Sequence, residues 1–334
     1  MAPTLRTLGI LAALICLVAG LALISGPVVS RVSTETLIRL VAVIGLWVFV
    51  GNSGILSFGH ATFAAIGAYA AAWLTMPSTA KSIFLPSLPE ILKSAEYPLP
   101  VGLLAGVAVA ALAGLLLGAV IVRLSGIAAS IATLAWLSIV VTVYSNADSW
   151  TKGTSSLVGL PLTVGPVTAL IAALVALLAA FWFRRSRFGL MLVASREDEV
   201  AARASAIDVW RMRLIAFVLS AAVVAMGGVL QGHFVGVLSI GQFYLEYTFL
   251  TLAILVVGGV NSLSGAVLGC LVISAASELL RTLSGGLDLG ALTLPALPGL
   301  RELCLAAIML AILLFRPRGL LGDRELGAGR RRPG

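Results

Sequence analysis

Read as apolar and polar positions, the chain alternates long apolar runs with short polar breaks. Apolar runs near 20 residues are long enough to cross a bilayer as helices. They fall at roughly 8–25, 35–51, 60–75, 101–122, 127–144, 166–183, 213–232, 246–260, 264–280 and 301–315. Several are short, so a count of eight to ten is expected, some of them broken or re-entrant. The predicted fold is an all-α integral membrane protein, a polytopic helix bundle. The breaks between runs are rich in Pro, Gly and Ser, as in Pro77–Pro100 with its five prolines and in Ser145–Pro166. Neither reads as a separate domain, so residues 1–334 are taken as one membrane domain. Only 184–213 is both long and strongly charged. The segment 316–334 reads as a basic, disordered tail.

Composition strengthens this picture. The chain is 60% hydrophobic and 11% charged, against about a quarter charged in soluble domains. Lipid solvates such apolar surface where water would leave large exposed patches. The run from Leu8 to Ile24 follows Arg6 as a signal peptide would. Its length, the lack of a clear cleavage site and the spans after it read as a first membrane helix. Thirty-five glycines suit helices that approach closely in lipid.

The formal charge of +8 changes the reading only by its distribution. The basic residues are scattered among helix ends, which argues against nucleic-acid binding. With the N-terminus inside, 15 of the 22 Lys and Arg residues fall on the cytoplasmic side. That asymmetry predicts both termini, and the loop 184–213, in the cytoplasm.

A short internal echo adds a topological expectation. Gly54-Ile-Leu-Ser-Phe-Gly-His60 is similar to Gly236-Val-Leu-Ser-Ile-Gly-Gln242. The first copy follows the second predicted helix on the inner side, and the other follows the seventh on the outer side. Two inverted five-helix halves would give that arrangement, as would chance in a chain of few residue types.

Chemistry in the chain is sparse. No Gly-x4-Gly-Lys-Ser/Thr motif surrounds any of its three lysines, so phosphate has no P-loop here. Cys16, Cys270 and Cys304 form no CxxC pair, and His60 and His233 lie in no HExxH, which leaves metal binding without support. Ser57 and His60 are three residues apart but have no acid nearby to complete a catalytic pair. No cofactor is expected on this chain.

Two sets of residues remain. Arg196, Glu197, Asp198, Glu199, Val200, Ala201, Ala202, Arg203 and Ala204 read as one charged helix, with Glu199 and Arg203 paired at i and i+4 and Val200, Ala204 and Ile207 on one face. Such a helix could press into a cytoplasmic partner or simply connect two spans. Asn52, Ser53, Ser57, His60, Thr133, Trp136, Ser138, Gln242 and Asn261 are polar groups in or beside spans, where polarity is costly. They form either a weakly polar path for a zwitterion or bonds between helices. Buried acids are few, with Glu246 and Glu278 near helix ends, which argues against a proton-coupled carrier.

With these residues in view, the chain resembles the permease subunits of branched-chain amino acid ABC transporters, the LivM type in particular. The likeness runs from about Leu37 to Gly322 in four blocks. They are Gly51–Leu74 (GNSGILSFGHATFAAIGAYAAAWL), Thr133–Pro161 (TLAWLSIV and TKGTSSLVGLP), Arg187–Phe217, and Gly258–Gly269 with Phe315–Gly322 (GGVNSLSGAVLG and FRPRGLLG). The resemblance makes the third block a coupling helix that docks on an ATPase, with Arg196 to Arg203 and Ile207 at the contact. The family usually has Gly where this chain has Ala206, often an acid at Arg203, and often Gln at Ile55.

The resemblance implies a bacterial inner-membrane importer. It would pair this chain with a second, LivH-type permease, two cytoplasmic P-loop ATPases that carry ATP and Mg, and an extracytoplasmic solute-binding protein received at 77–100 and 145–165. Leucine, isoleucine and valine are the implied cargo. Relatives of this shape also serve urea or short amides. A secondary transporter, a channel and an intramembrane enzyme are the rival classes.

Overall fold

A computed structural model describes residues 4–284 and 300–327. The first half holds α1 (Leu5–Ile24), α2 (Pro27–Ser53), α3 (Ala61–Thr75), α4 (Ser78–Phe84), α5 (Glu90–Lys93), α6 (Leu99–Ile121), α7 (Gly126–Asn146) and α8 (Asp148–Thr151). The rest holds α9 (Pro166–Arg185), α10 (Arg187–Glu197), α11 (Glu199–Ala204), α12 (Val209–Val235), α13 (Leu245–Gly258), α14 (Leu263–Ser284) and α15 (Leu300–Phe315). Two residue pairs, β1 (Leu157–Val158) and β2 (Val237–Leu238), make a small antiparallel bridge. Among the described residues, eight stretches are long and apolar enough to cross a membrane, and Ala61–Thr75 and Leu303–Ile312 are shorter apolar helices.

The core is the pair α2 and α12, each 27 residues, or about 40 Å long at 1.5 Å per residue. They run antiparallel: Ala42 lies against Gly227, Gly45 against Val224, and Phe49 against Phe217. Ser220 Oγ donates to Gly45 O at 2.6 Å. Glycine is needed here because a Cβ on Gly45 would stand 2.8 Å from Val224. Around this pair, α3 and α6 pack on α12, while α13 and α14 pack on α2. The swap of partners is the arrangement expected of inverted halves.

Helix α6 shows how small residues set the packing. Its buried positions Gly102, Gly106, Ala110, Gly114 and Gly118 recur every four residues. They form one stripe along the helix. The stripe lets α6 close on α3 and α12, with Gly114 facing Ala221 and Gly118 facing Phe217.

Two boundaries differ from the sequence expectation. Helix α2 begins at Pro27, not near 35, and continues through Arg31, Glu35 and Arg39, whose charges interrupt the apolar signal. The segment after α15 is not a disordered tail through residue 327. Leu320 N donates to Val257 O and Leu321 N to Gly258 O. The buried carboxylate of Glu325 accepts from Leu263 N, Ser264 N and Ser264 Oγ, capping the start of α14. Arg330, Arg331 and Arg332 lie outside the described residues. Thr7 Oγ1 donates to Leu326 O at 2.6 Å, so the start of α1 and the end of this segment share one end of the bundle.

Candidate functional site: two broken helices and a charged clamp

The echoed sequences take the same shape at opposite ends of the central pair. Helix α2 stops at Gly54 (φ 73°, ψ 3°) and α12 stops at Gly236 (φ 78°, ψ 3°). Left-handed backbone of this kind ends a helix and favours glycine. Each is followed by non-helical chain and then by a short helix, α3 with 15 residues and α13 with 14. The segments that follow the two breaks meet inside the bundle. The 3₁₀ turn Ile240–Phe243 packs against α3 and α7, and Thr248 Oγ1 in α13 lies 3.5 Å from Phe58 O.

The break after Gly54 is braced by α7. Phe58 N donates to Thr133 Oγ1 at 3.1 Å, and Ser130 Oγ donates to Leu56 O at 2.7 Å. Trp136 Nε1 donates to Thr62 Oγ1, and Thr62 Oγ1 to Gly59 O. Ser57 and His60 share no helix, yet His60 Nδ1 lies 2.6 Å from Ser57 Oγ. The His60 ring is buried among Phe49, Phe63 and Phe217, and the partners described for it include no acid. That surrounding suits packing and leaves a serine hydrolase without its third member.

The structure thus gathers Ser57, His60, Thr133 and Trp136 around one break. Asn52 and Ser53 sit just below it. Asn52 accepts from Arg184 Nη1 at 2.8 Å, and Ser53 Oγ accepts from Ile55 N. Gln242 stands apart, exposed on the turn of the other break, and Ser138 is exposed on α7.

The charged loop is two helices, not one. Asp198 leaves helical geometry (φ −151°, ψ 108°), and its carboxylate accepts from Val200 N and Ala201 N as an N-cap. Arg196 and Glu197 therefore close α10, while Ala201, Ala202 and Arg203 belong to α11. Val200 is 79% exposed and Ala204 is exposed, so α11 presents an apolar patch, whereas Ala202 and Ile207 face inward. The turn that follows puts Ala206 at φ 59°, a conformation that costs a residue with a Cβ about 1 kcal/mol or more.

Arg196 connects this loop to both halves. Its Nη1 donates to Gly51 O at 2.9 Å and to Asn261 Oδ1 at 2.7 Å, and its Nη2 pairs with Glu197. Asn261 in turn donates to Asp323. One guanidinium thus joins the end of α2, the α13–α14 corner and the segment after α15. A second connection runs through Glu199, which pairs with Arg203 at 2.6 Å and with buried Arg213 of α12 at 2.7 Å. Burial works to raise the Glu199 carboxyl, but its bonds and charges from Arg213 and Arg203 outweigh burial and hold it below the ordinary glutamate range.

Sequence reading missed Arg184, Arg213, Ser130, Asp323 and Glu325. Only Asp198 carried a local signal, an Asp directly before a helix-favouring stretch. Residues 28–313 match the family model described as branched-chain amino acid transport system / permease component. The chain belongs to this family. Its relatives include the high-affinity branched-chain amino acid transport system permease protein LivM of Escherichia coli, 28% identical over 87% of this chain and 69% of the relative. LivM of Salmonella typhimurium is 29% identical over the same shares. The LivH permease of Salmonella typhimurium is 29% identical over 53% of this chain and 54% of its own length. No solved structure matches the chain. Within this permease, the Arg196 clamp ties the end of α2, where the first helix breaks, to the α13–α14 corner.

Proposed function

We propose that this permease is the membrane subunit of an ATP-driven importer of leucine, isoleucine and valine in a bacterial inner membrane. It works with a second LivH-type permease, two cytoplasmic ATPases and an extracytoplasmic binding protein. The observation that carries this reading is the Arg196 clamp. A charged segment with an exposed apolar patch, and no phosphate-binding loop of its own, is hydrogen-bonded to the end of α2, which breaks at Gly54, and to the corner that follows α13. A partner that pulls on α10 and α11 moves Gly51 and Asn261 together, and with them the inner ends of both halves.

The polar groups around the first break bond mainly to backbone and to neighbouring side chains, so Asn52, Ser53, Ser57, His60, Thr133 and Trp136 act as the frame of the path. Gln242 marks the matching turn from the other side. An ATP cycle drives transport only by changing the relative stability of outward- and inward-open states. Both termini, the α10–α11 loop and residues 316–327 then face the cytoplasm. The far end, where Trp73 Nε1 donates to Trp150 O and buried Lys81 of α4 donates to Leu92 O and Ala95 O, receives the binding protein.

Tagged chain purified from its native membranes should bring down a P-loop ATPase and a second permease. In vesicles the full complex should take up leucine only with ATP inside, with isoleucine and valine competing. Uptake by this chain alone without ATP, or competition by urea in place of these amino acids, would contradict the proposal.

A further inference from the structure

The outer half of α2 is charged where its counterpart in α12 is sealed. Aligned on Gly54 and Gly236, the positions Arg31, Glu35 and Arg39 of α2 correspond to Arg213, Phe217 and Ala221 of α12. Phe217 and Ala221 close against Gly118 and Gly114 of α6. Glu35 and Arg39 instead face α14 across a cleft of about 360 Å³ that also holds Val28, Val32, Ser274 and Glu278. Arg39 stands near the middle of α2 and Ser274 near the middle of α14, so the cleft reaches membrane depth. At its inner end Arg39 Nη2 pairs with Glu35 at 2.8 Å and Nη1 donates to Ser274 Oγ at 3.2 Å. Ionised groups this deep in a span are costly and mark solute paths, and the volume suits a small-molecule site.

We propose that this cleft receives the zwitterionic head group of an α-amino acid, with its carboxylate on Arg39, its ammonium on Glu35 and its aliphatic side chain against Val28 and Val32. The Glu35–Arg39 pair opens as the solute enters, one ion pair being exchanged for two. This inference rests on the amino-acid reading above and adds the site to it.

The test uses the full complex in lipid vesicles, in a Cys16→Ser, Cys270→Ala, Cys304→Ser background. Thr36→Cys, on the cleft wall, is labelled with a membrane-impermeant thiosulfonate added outside. Labelling should proceed without solute and slow about tenfold with saturating leucine, and leucinamide, which lacks the carboxylate, should protect far less. Arg39→Gln should abolish protection, judged against that variant's own unliganded labelling rate, and Arg39→Lys should retain part of it.

Three results would overturn the proposal. They are no labelling from outside, as when the second permease covers the cleft; equal protection by leucine and leucinamide; and full protection in Arg39→Gln. If the complex transports none of the three branched amino acids, the substrate reading fails by itself. Comparing another α-amino acid with its amide then still decides the cleft.

Discussion

The two breaks have the same backbone and different surroundings. At Gly54 the turn lies under Arg196, and its neighbours are polar: Arg184, Asn261, Ser130 and Thr133. At Gly236 the turn is held by backbone and apolar contact. Gly159 N and Leu160 N donate to Gly236 O at 3.3 Å, Leu157 and Val158 bridge to Leu238 and Val237, and Leu238 is fully buried. An apolar seal has one packed arrangement and resists motion. A clamp of hydrogen bonds from one guanidinium transmits displacement to every group that it touches. The comparison assigns rigidity to the break at Gly236 and makes the break at Gly54 the one to test for coupling.

The largest expected effect breaks the apolar seal at Gly236. Leu238→Ala should cost about 3 kcal/mol through the cavity it leaves, read as a lowered melting temperature in detergent, while solute moved per ATP in the surviving complex stays unchanged. Arg196→Ala should cost about 2 kcal/mol, because it removes charge-assisted bonds and leaves the Gly51 carbonyl without that donor. Unfolding in denaturant would measure it.

Matched substitutions at the two turns sharpen the contrast. Gly54→Ala and Gly236→Ala should each lose about 1 kcal/mol from the left-handed backbone. Only Gly54→Ala should also lower transport per ATP, since its Cβ would stand 2.6 Å from Arg196 Cγ. In the charged loop between α9 and α12, Ala206→Gly should gain about 1 kcal/mol by relieving its positive φ. The smallest effect is on pH. The lowered folded pKa of Glu199 means that its stabilisation is present at neutral pH and is lost as pH falls through that value. Melting should therefore drop less on acidification in Glu199→Gln than in the unaltered chain.

Much of the fold was legible because lipid imposes length. Each predicted apolar run lies on a helix, and the echo at Gly54 and Gly236 marked two turns that share one conformation. Charges hid the first two turns of α2, since Arg31 and Glu35 line a cleft that only the packing of α14 creates. The segment after α15 misled in the same way. Glu325 looks solvated in sequence, yet its partners lie at Leu263 and Ser264, 62 and 61 residues away. The brace from Thr133 to Phe58 spans 75 residues, and no local pattern reports such contacts. The break at Asp198 was readable from its capping residue type and was overlooked because the surrounding alanines favour helix.

The coupling role proposed for the break at Gly54 is tested most directly by counting leucine molecules moved per ATP hydrolysed in vesicles holding the full complex with Arg196→Ala. The account predicts that hydrolysis persists while the ratio falls about tenfold, and an unchanged ratio would contradict it.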